Sequence, residues 1–186
     1  MNFVKTPLHN LLHEYREINV NSLYRPVAIG RYGIRARESI YKKELAKDYS
    51  KNKVIYKDTL TIGMGTTQID IGILSDNNKY SVSPAYHTFK ISNVDSDYLR
   101  YCLEYLNSDM SERYMIASAR QGKTVDIKRW LDYSIPVYDL NVQQDIVYEL
   151  DIIKEEIDKH KMELVNLDEL VKSRFISQMV VLWKNS

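Results

Sequence analysis

Hydrophobic positions along this chain change their spacing several times, and each change marks a different kind of element. From Ile69 to Ile73 isoleucines alternate with Asp70 and Gly72, the period of two that predicts a half-buried strand. Val54-Ile55-Tyr56 and Thr59-Leu60-Thr61-Ile62 are β-prone runs on either side of Lys57-Asp58, which reads as a turn. Asp76-Asn77-Asn78 is a second turn. Val82 to Ile91 resumes as a strand after Ser83-Pro84. Leu11, Leu12 and Ile18, mixed with charges, predict a short helix over 8–18. Leu99, Leu103 and Leu106 fall on one helical face, with Asp95 or Ser96 as its cap. A second helix is expected over Ser111 to Ala119, ended by Gly122, and extended structure around Trp130 from Thr124 to Val137.

The last quarter of the chain follows another rule. Ile146, Leu150, Ile153, Ile157, His160, Leu164, Leu167 and Val171 recur in alternating steps of four and three. A mean period of 3.5 is that of a helix built to zip against another helix. Asn141 with Gln144 forms a capping-box pattern at its start. Neither Pro nor Gly follows Pro136, so the helix is expected from about Val142 to Trp183, roughly 60 Å long. The fold class read from these patterns is α+β: a globular mixed domain followed by a long C-terminal coiled-coil helix.

Composition removes some functions. At 44% hydrophobic and 27% charged residues the chain is an ordinary folding sequence. No 18-residue apolar run is present, and the N-terminal stretch lacks a cationic start before an apolar core, so a cytoplasmic location is expected. A single cysteine, Cys102, gives neither a disulfide framework nor a multi-cysteine metal site. Charge is uneven: residues 1–57 hold 12 Lys/Arg against 5 Asp/Glu, and residues 140–186 hold 6 against 9. A basic front attracts phosphates, and equally keeps a surface solvated. The 15 tyrosines suit base stacking or phosphate bonding, and equally a core with hydroxyls at its rim.

Tyr133 to Val147, reading YSIPVYDLNVQQDIV, resembles the start of the conserved helix in specificity (S) subunits of type I restriction–modification systems. Leu170-Val171-Lys172-Ser173-Arg174-Phe175 resembles the far part of that helix. Val82-Ser83-Pro84-Ala85-Tyr86-His87-Thr88-Phe89 is similar to the Ser-Pro-Ala-Tyr segment of many target recognition domains. Tyr98 to Leu103 looks like the helix after it, and Gly122-Lys123-Thr124-Val125 like the glycine turn before the last strand. The five pieces occur in the family's order. Residues 1–80 match poorly. The family's glutamate is Gln143 here, Val137-Tyr138 replaces its second proline, and one recognition domain and one helix stand where the full subunit has two of each.

The resemblance implies a target recognition domain over 1–139, and a helix over 140–186 for dimerisation and for docking methyltransferase (M) subunits. It implies a non-catalytic subunit without cofactor or metal. Such a subunit directs M subunits, and the restriction (R) subunit of the full complex, to a bipartite double-stranded DNA target. It would act as a homodimer or paired with another half subunit, away from any membrane. The dimer interface would be Ile146, Leu150, Ile153, Ile157, His160, Leu164, Leu167 and Val171.

Three polar stretches are candidates for DNA contact, since Arg and Lys suit phosphate or guanine and Asn and Gln suit adenine. The first supplies Arg31, Arg35 and Arg37; the second, opened by Gly63 and Gly65, supplies Thr66, Thr67 and Gln68; the third supplies Arg120, Gln121, Lys123 and Thr124. The plain alternative for each is a hairpin turn or a surface ion pair. Gly63-Met64-Gly65 is not a phosphate loop, because no Gly-Lys-Ser/Thr follows. Asp126-Ile127-Lys128 lacks the upstream carboxylate of a metal nuclease. The rival reading is a coiled-coil interaction module that does not touch DNA. A stand-alone enzyme has no catalytic constellation behind it.

Overall fold

The computed structural model describes residues 2–37, 48–117 and 123–184, apart from the side chains at 180–182 and 184. It divides into two units, Met1–Gln144 and Asp145–Ser186.

In the first unit β1 (Val4–Pro7) leads into a 3-10 turn and β2 (Leu12–Glu14). The helix expected over 8–18 is therefore a turn and a strand. Leu8, Leu11 and Leu12 are all buried, and β2 gains a ladder partner that a lone helix would lack. There follow β3 (Val27–Gly30), β4 (Gly33–Ala36), β5 (Lys53–Ile55), β6 (Thr59–Ile62), β7 (Ile71–Leu74), β8 (Tyr80–Val82) and β9 (His87–Ile91). A four-stranded antiparallel sheet runs in the order β2-β9-β6-β7, and β3-β4 and β5-β8 form separate pairs. The two runs beside Lys57-Asp58 are strands, but they do not pair with each other. β5 bonds to β8, and β6 lies between β7 and β9. Asp58 turns the chain between them at φ 60°.

The sheet is buried on both faces, which the Ile69–Ile73 alternation did not predict. Leu60, Ile62 and Phe89 face a core with Leu99, Leu103, Met110 and Trp130, and Ile71 and Ile73 pack against it. Leu74 joins a second cluster with Val27, Ile29, Ile55 and Val82. Shortening any of these leucines or isoleucines to alanine should cost about 2–5 kcal/mol.

Helix α1 (Ser96–Tyr114) is one continuous helix rather than two. Asp95 caps it by accepting from the amides of Asp97 and Tyr98 at 3.0 and 2.9 Å. No Gly or Pro interrupts it, and Met110 and Ser111, where a break was expected, are buried. After it Met115–Ala117 is a strand, β10, paired with β11 (Lys123–Val125). The region around Trp130 is also helical. Asp126 caps α2 (Ile127–Leu131), which drops Trp130 into the core with its indole N–H donating to Met110 Sδ at 3.3 Å. β12 (Ser134–Val137) pairs with β1 and tolerates Pro136 at this two-stranded edge.

Helix α3 (Leu140–Lys184) is a single helix of 45 residues, about 68 Å long. It starts at Leu140, so Asn141 lies in its first turn and not at the cap. Gln143 takes the structural role instead. Its side chain is buried, with Oε1 accepting from the Asp95 amide at 2.9 Å and Nε2 donating to the Tyr138 carbonyl at 2.6 Å. One amide thus ties the first turn of α3 to the cap of α1. Beyond residue 150 the helix is exposed on all sides within the single chain, seam included: Ile153 is 53% and Leu164 66% exposed.

Gln143→Ala strands two part-buried backbone groups, the Asp95 amide and the Tyr138 carbonyl. Urea unfolding of the variant should show a loss of about 1–3 kcal/mol. An unchanged midpoint would show that the tie contributes nothing.

Candidate nucleic-acid interface

Two loops and one helix build an open cleft of about 780 Å³ in the first unit. The first loop is the tip of the β3–β4 hairpin. Gly30 pairs with Gly33, leaving Arg31 and Tyr32 as the two-residue turn, and Gly33 sits at φ 83°, where a side chain would be strained. Both turn residues project into water. The Arg31 and Arg35 guanidinium groups lie 5.9 and 4.8 Å from the Tyr32 ring centre, within cation–π range.

The second loop joins β6 to β7. The Gly63 amide donates to the Asp70 carbonyl at 2.8 Å and closes its base. A Cβ on Gly65 would stand 1.9 Å from the Gln68 carbonyl oxygen, so only glycine fits. The structure uses both glycines for the loop's own fold. Thr66 and Thr67 are exposed at its crown, and Gln68 Nε2 donates to the Arg31 carbonyl at 3.4 Å, joining the two loops.

Helix α1 holds the second loop in place. Asn107 and Ser111 are one turn apart and reach the same residue. Asn107 Nδ2 donates to the Ile69 carbonyl at 2.9 Å, and the Ile69 amide donates to Ser111 Oγ at 2.9 Å. The Ser111 hydroxyl donates in turn to Asn107 Oδ1 at 2.8 Å. Buried Ile69 therefore has both backbone groups satisfied by one polar pair. The outer face of the same helix adds Glu104, Tyr105, Ser108 and Glu112 to the cleft wall, and Lys123 of β11 completes it. Tyr105 is 87% exposed.

The cleft thus unites one member or more of each polar stretch: Arg31, Thr67, Gln68 and Lys123. Arg35 on β4, Arg37 after it (5.7 Å from the Tyr49 ring), Thr66 and half-buried Thr124 lie outside its lining. Arg120 and Gln121 are outside the described residues. Sequence reading missed the contribution of α1. The available signal was the polar pair Asn107 and Ser111, spaced i, i+4 beside the apolar Leu103 and Met110. His160 bonds on its own helix to Glu163 at 3.0 Å and lies 3.7 Å from Glu156. Burial pushes the Cys102 thiol up, as expected of an unreactive thiol. Among the described residues no cluster of His, Cys, Asp or Glu could hold a metal, and no helix is long and apolar enough to cross a membrane.

Two predictions concern the loop. Asn107→Ala should destabilise the unit by about 1–3 kcal/mol in urea, because the Ile69 carbonyl loses its partner. Burial also raises the Asp70 carboxyl above its ordinary range. Its protonated form is thus favoured by folding, so the wild type gains stability as pH falls through that raised value toward the unfolded value of about 3.9. Asp70→Asn should therefore melt higher than wild type at neutral pH, with the difference closing in acid. A constant difference across pH would refute this.

No family model matches the sequence, and no curated protein matches it. Solved structures do. The S subunit of a type I restriction–modification system from M. genitalium superposes with a TM-score of 0.55 at 16% identity, over 86% of this chain and 41% of that one. A chain from a structure of type I restriction–modification complex assembly and conformational transition gives 0.53 at 16% identity, over 84% of this chain and 39% of that one. At this identity the likeness is one of fold, and this chain has the fold of a type I restriction–modification S subunit across about two-fifths of its neighbours' length.

Proposed function

We propose that this chain is the sequence-specific DNA recognition subunit, or one half of it, of a type I restriction–modification complex. Residues 1–139 read double-stranded DNA. Residues 140–186 pair with another long helix and dock M subunits. The chain does no chemistry itself and directs the M subunits, with the R subunit where one is present, to a bipartite target.

The observation that carries this reading is the convergence of Arg31, Thr67, Gln68 and Lys123 on one open cleft, in a chain with the S-subunit fold. The character of the cleft fits base edges better than a phosphate track. Glu104 and Glu112 stand on its wall and would repel phosphates, whereas a carboxylate accepts from the cytosine amino group. Arg31 and Lys123 suit guanine, Gln68 suits adenine, and Thr67 suits either a polar edge or the thymine methyl. Arg35, exposed on the adjoining strand, is placed for backbone phosphate. The long exposed helix fits a spacer that fixes the gap between two half-sites.

The target can be found by mapping methylated adenines and cytosines in host DNA with and without the gene. Fluorescence anisotropy on that target, with an M subunit present, should then show affinity falling steeply with salt. Arg31→Ala should lose about 1–3 kcal/mol and relax specificity at one base pair, whereas Arg35→Ala should weaken all sequences alike and shallow the salt slope by about 1. Absence of DNA binding at low salt, both alone and with the M subunit, would favour the interaction-module reading instead.

A further inference from the structure

The lining of the cleft is polar or charged with two exceptions, Tyr32 and Tyr105. The Tyr32 ring is already engaged, with the Arg35 and Arg31 guanidinium groups 4.8 and 5.9 Å from its centre. Tyr105 is not. At 87% exposure its side chain meets no ring, cation or hydrogen-bonding partner among the described residues. Tyrosines packed into the same unit use their hydroxyls. Tyr15 donates to the Val54 carbonyl at 2.9 Å, Tyr98 to the Pro136 carbonyl at 2.8 Å and Tyr133 to Asp109 at 2.9 Å. Tyr105 thus leaves the one unengaged aromatic surface in the cleft.

That surface stands on a fixed support. Leu103 and Met110 hold the inner face of α1 in the core, and Asn107 and Ser111 bind it to the backbone of Ile69. Tyr105, Ser108 and Glu112 follow one another at i, i+3 and i+7, so they share the helical face that lines the cleft. Glu104 adjoins them. A tyrosine carried this way orders only two side-chain torsions when it meets a ligand.

The chemistry of the group that meets the ring can be narrowed. Glu104 and Glu112 on the same wall repel phosphate, which disfavours contact with a nucleic-acid backbone. Base edges remain. In the major groove guanine, adenine and cytosine present hydrogen-bonding atoms, and a ring laid over these strips their water without replacing it. Thymine alone adds an apolar group, its 5-methyl. A ring against that methyl removes apolar surface from water on both sides and leaves no polar atom unpaired.

We propose that Tyr105 is a specificity-determining residue that reads a thymine through its 5-methyl group. The DNA site of this unit then contains a T·A pair whose thymine faces α1. The proposal rests on the reading of the cleft as a DNA-reading surface. Thr67 also carries a methyl, on the β6–β7 loop, and serves as the comparison residue.

The test uses the 186-residue chain with an M subunit, and duplexes carrying the mapped target in which each thymine in turn is replaced by deoxyuridine. The replacement removes one methyl and leaves every hydrogen bond of the base pair. At one position it should weaken wild-type binding about fourfold, the worth of one buried methyl-sized group. Tyr105→Ala should bind the thymine duplex more weakly and bind the thymine and uracil duplexes equally at that position. Tyr105→Phe should keep the whole uracil effect, because the ring and not the hydroxyl makes the contact. Thr67→Ser should keep it too. Tyr105 is exposed, so its variants should unfold at the wild-type urea midpoint. A target without thymine overturns the proposal. So does a uracil effect that survives in Tyr105→Ala at every sensitive position, or one that Thr67→Ser removes. Salt-sensitive binding of the target that is indifferent to uracil throughout sinks the thymine assignment alone, whereas absence of DNA binding, with and without the M subunit, sinks the DNA reading with it.

Discussion

The first unit depends on one buried polar contact, the grip of Asn107 and Ser111 on the backbone of Ile69. Ile69 must be buried for its side chain to fill the main core, and a buried peptide cannot leave its amide and carbonyl unpaired. The neighbouring strands do not reach it, because β7 starts only at Ile71. Two short side chains one helical turn apart fill that need. They fix the height of the Gly63–Asp70 loop against α1 and so decide where Thr67 and Gln68 stand. Gln68 then bonds to the Arg31 carbonyl, which carries the same constraint into the hairpin tip. The cleft is therefore tied down at its base, while Arg31, Tyr32 and Thr67 stand exposed at its rim.

Helix α1 serves three neighbours at once. Its inner face, with Leu99, Leu103 and Met110, closes the core over the sheet. Its outer face walls the cleft. Its N-terminus meets the start of α3, where the Gln143 amide bonds to the capping residue Asp95. The position where the S-subunit pattern has glutamate thus holds a neutral side chain here, and neutrality suits the contact: Gln143 must accept at one end and donate at the other. A carboxylate could satisfy the Asp95 amide but would face the Tyr138 carbonyl with a second acceptor.

The long helix obeys a different economy. Beyond Leu150 its apolar seam side chains are half to two-thirds exposed in the single chain, as Ile157 at 47% and Leu164 at 66% show. Apolar surface of that extent along one stripe favours association.

Much of this was legible in the sequence. The 3.5 period fixed α3 as one helix, because nothing in a solvated rod competes with local periodicity. The turn at Asp76-Asn77-Asn78, the break at Ser83-Pro84 and the Asp95 cap were equally readable, since each is settled within three or four residues. The three polar stretches were visible as stretches. What tertiary structure alone decided was everything requiring distant partners. Leu11 and Leu12 became turn and strand because β9 offered a ladder; the Trp130 region became helical because Asp126 caps it and the core accepts the indole. β5 and β6 parted because each had a better neighbour, and Gly63 and Gly65 serve the loop itself. Above all, the meeting of Arg31, Thr67, Gln68 and Lys123 across nearly a hundred residues of chain arises from packing, which no local pattern encodes.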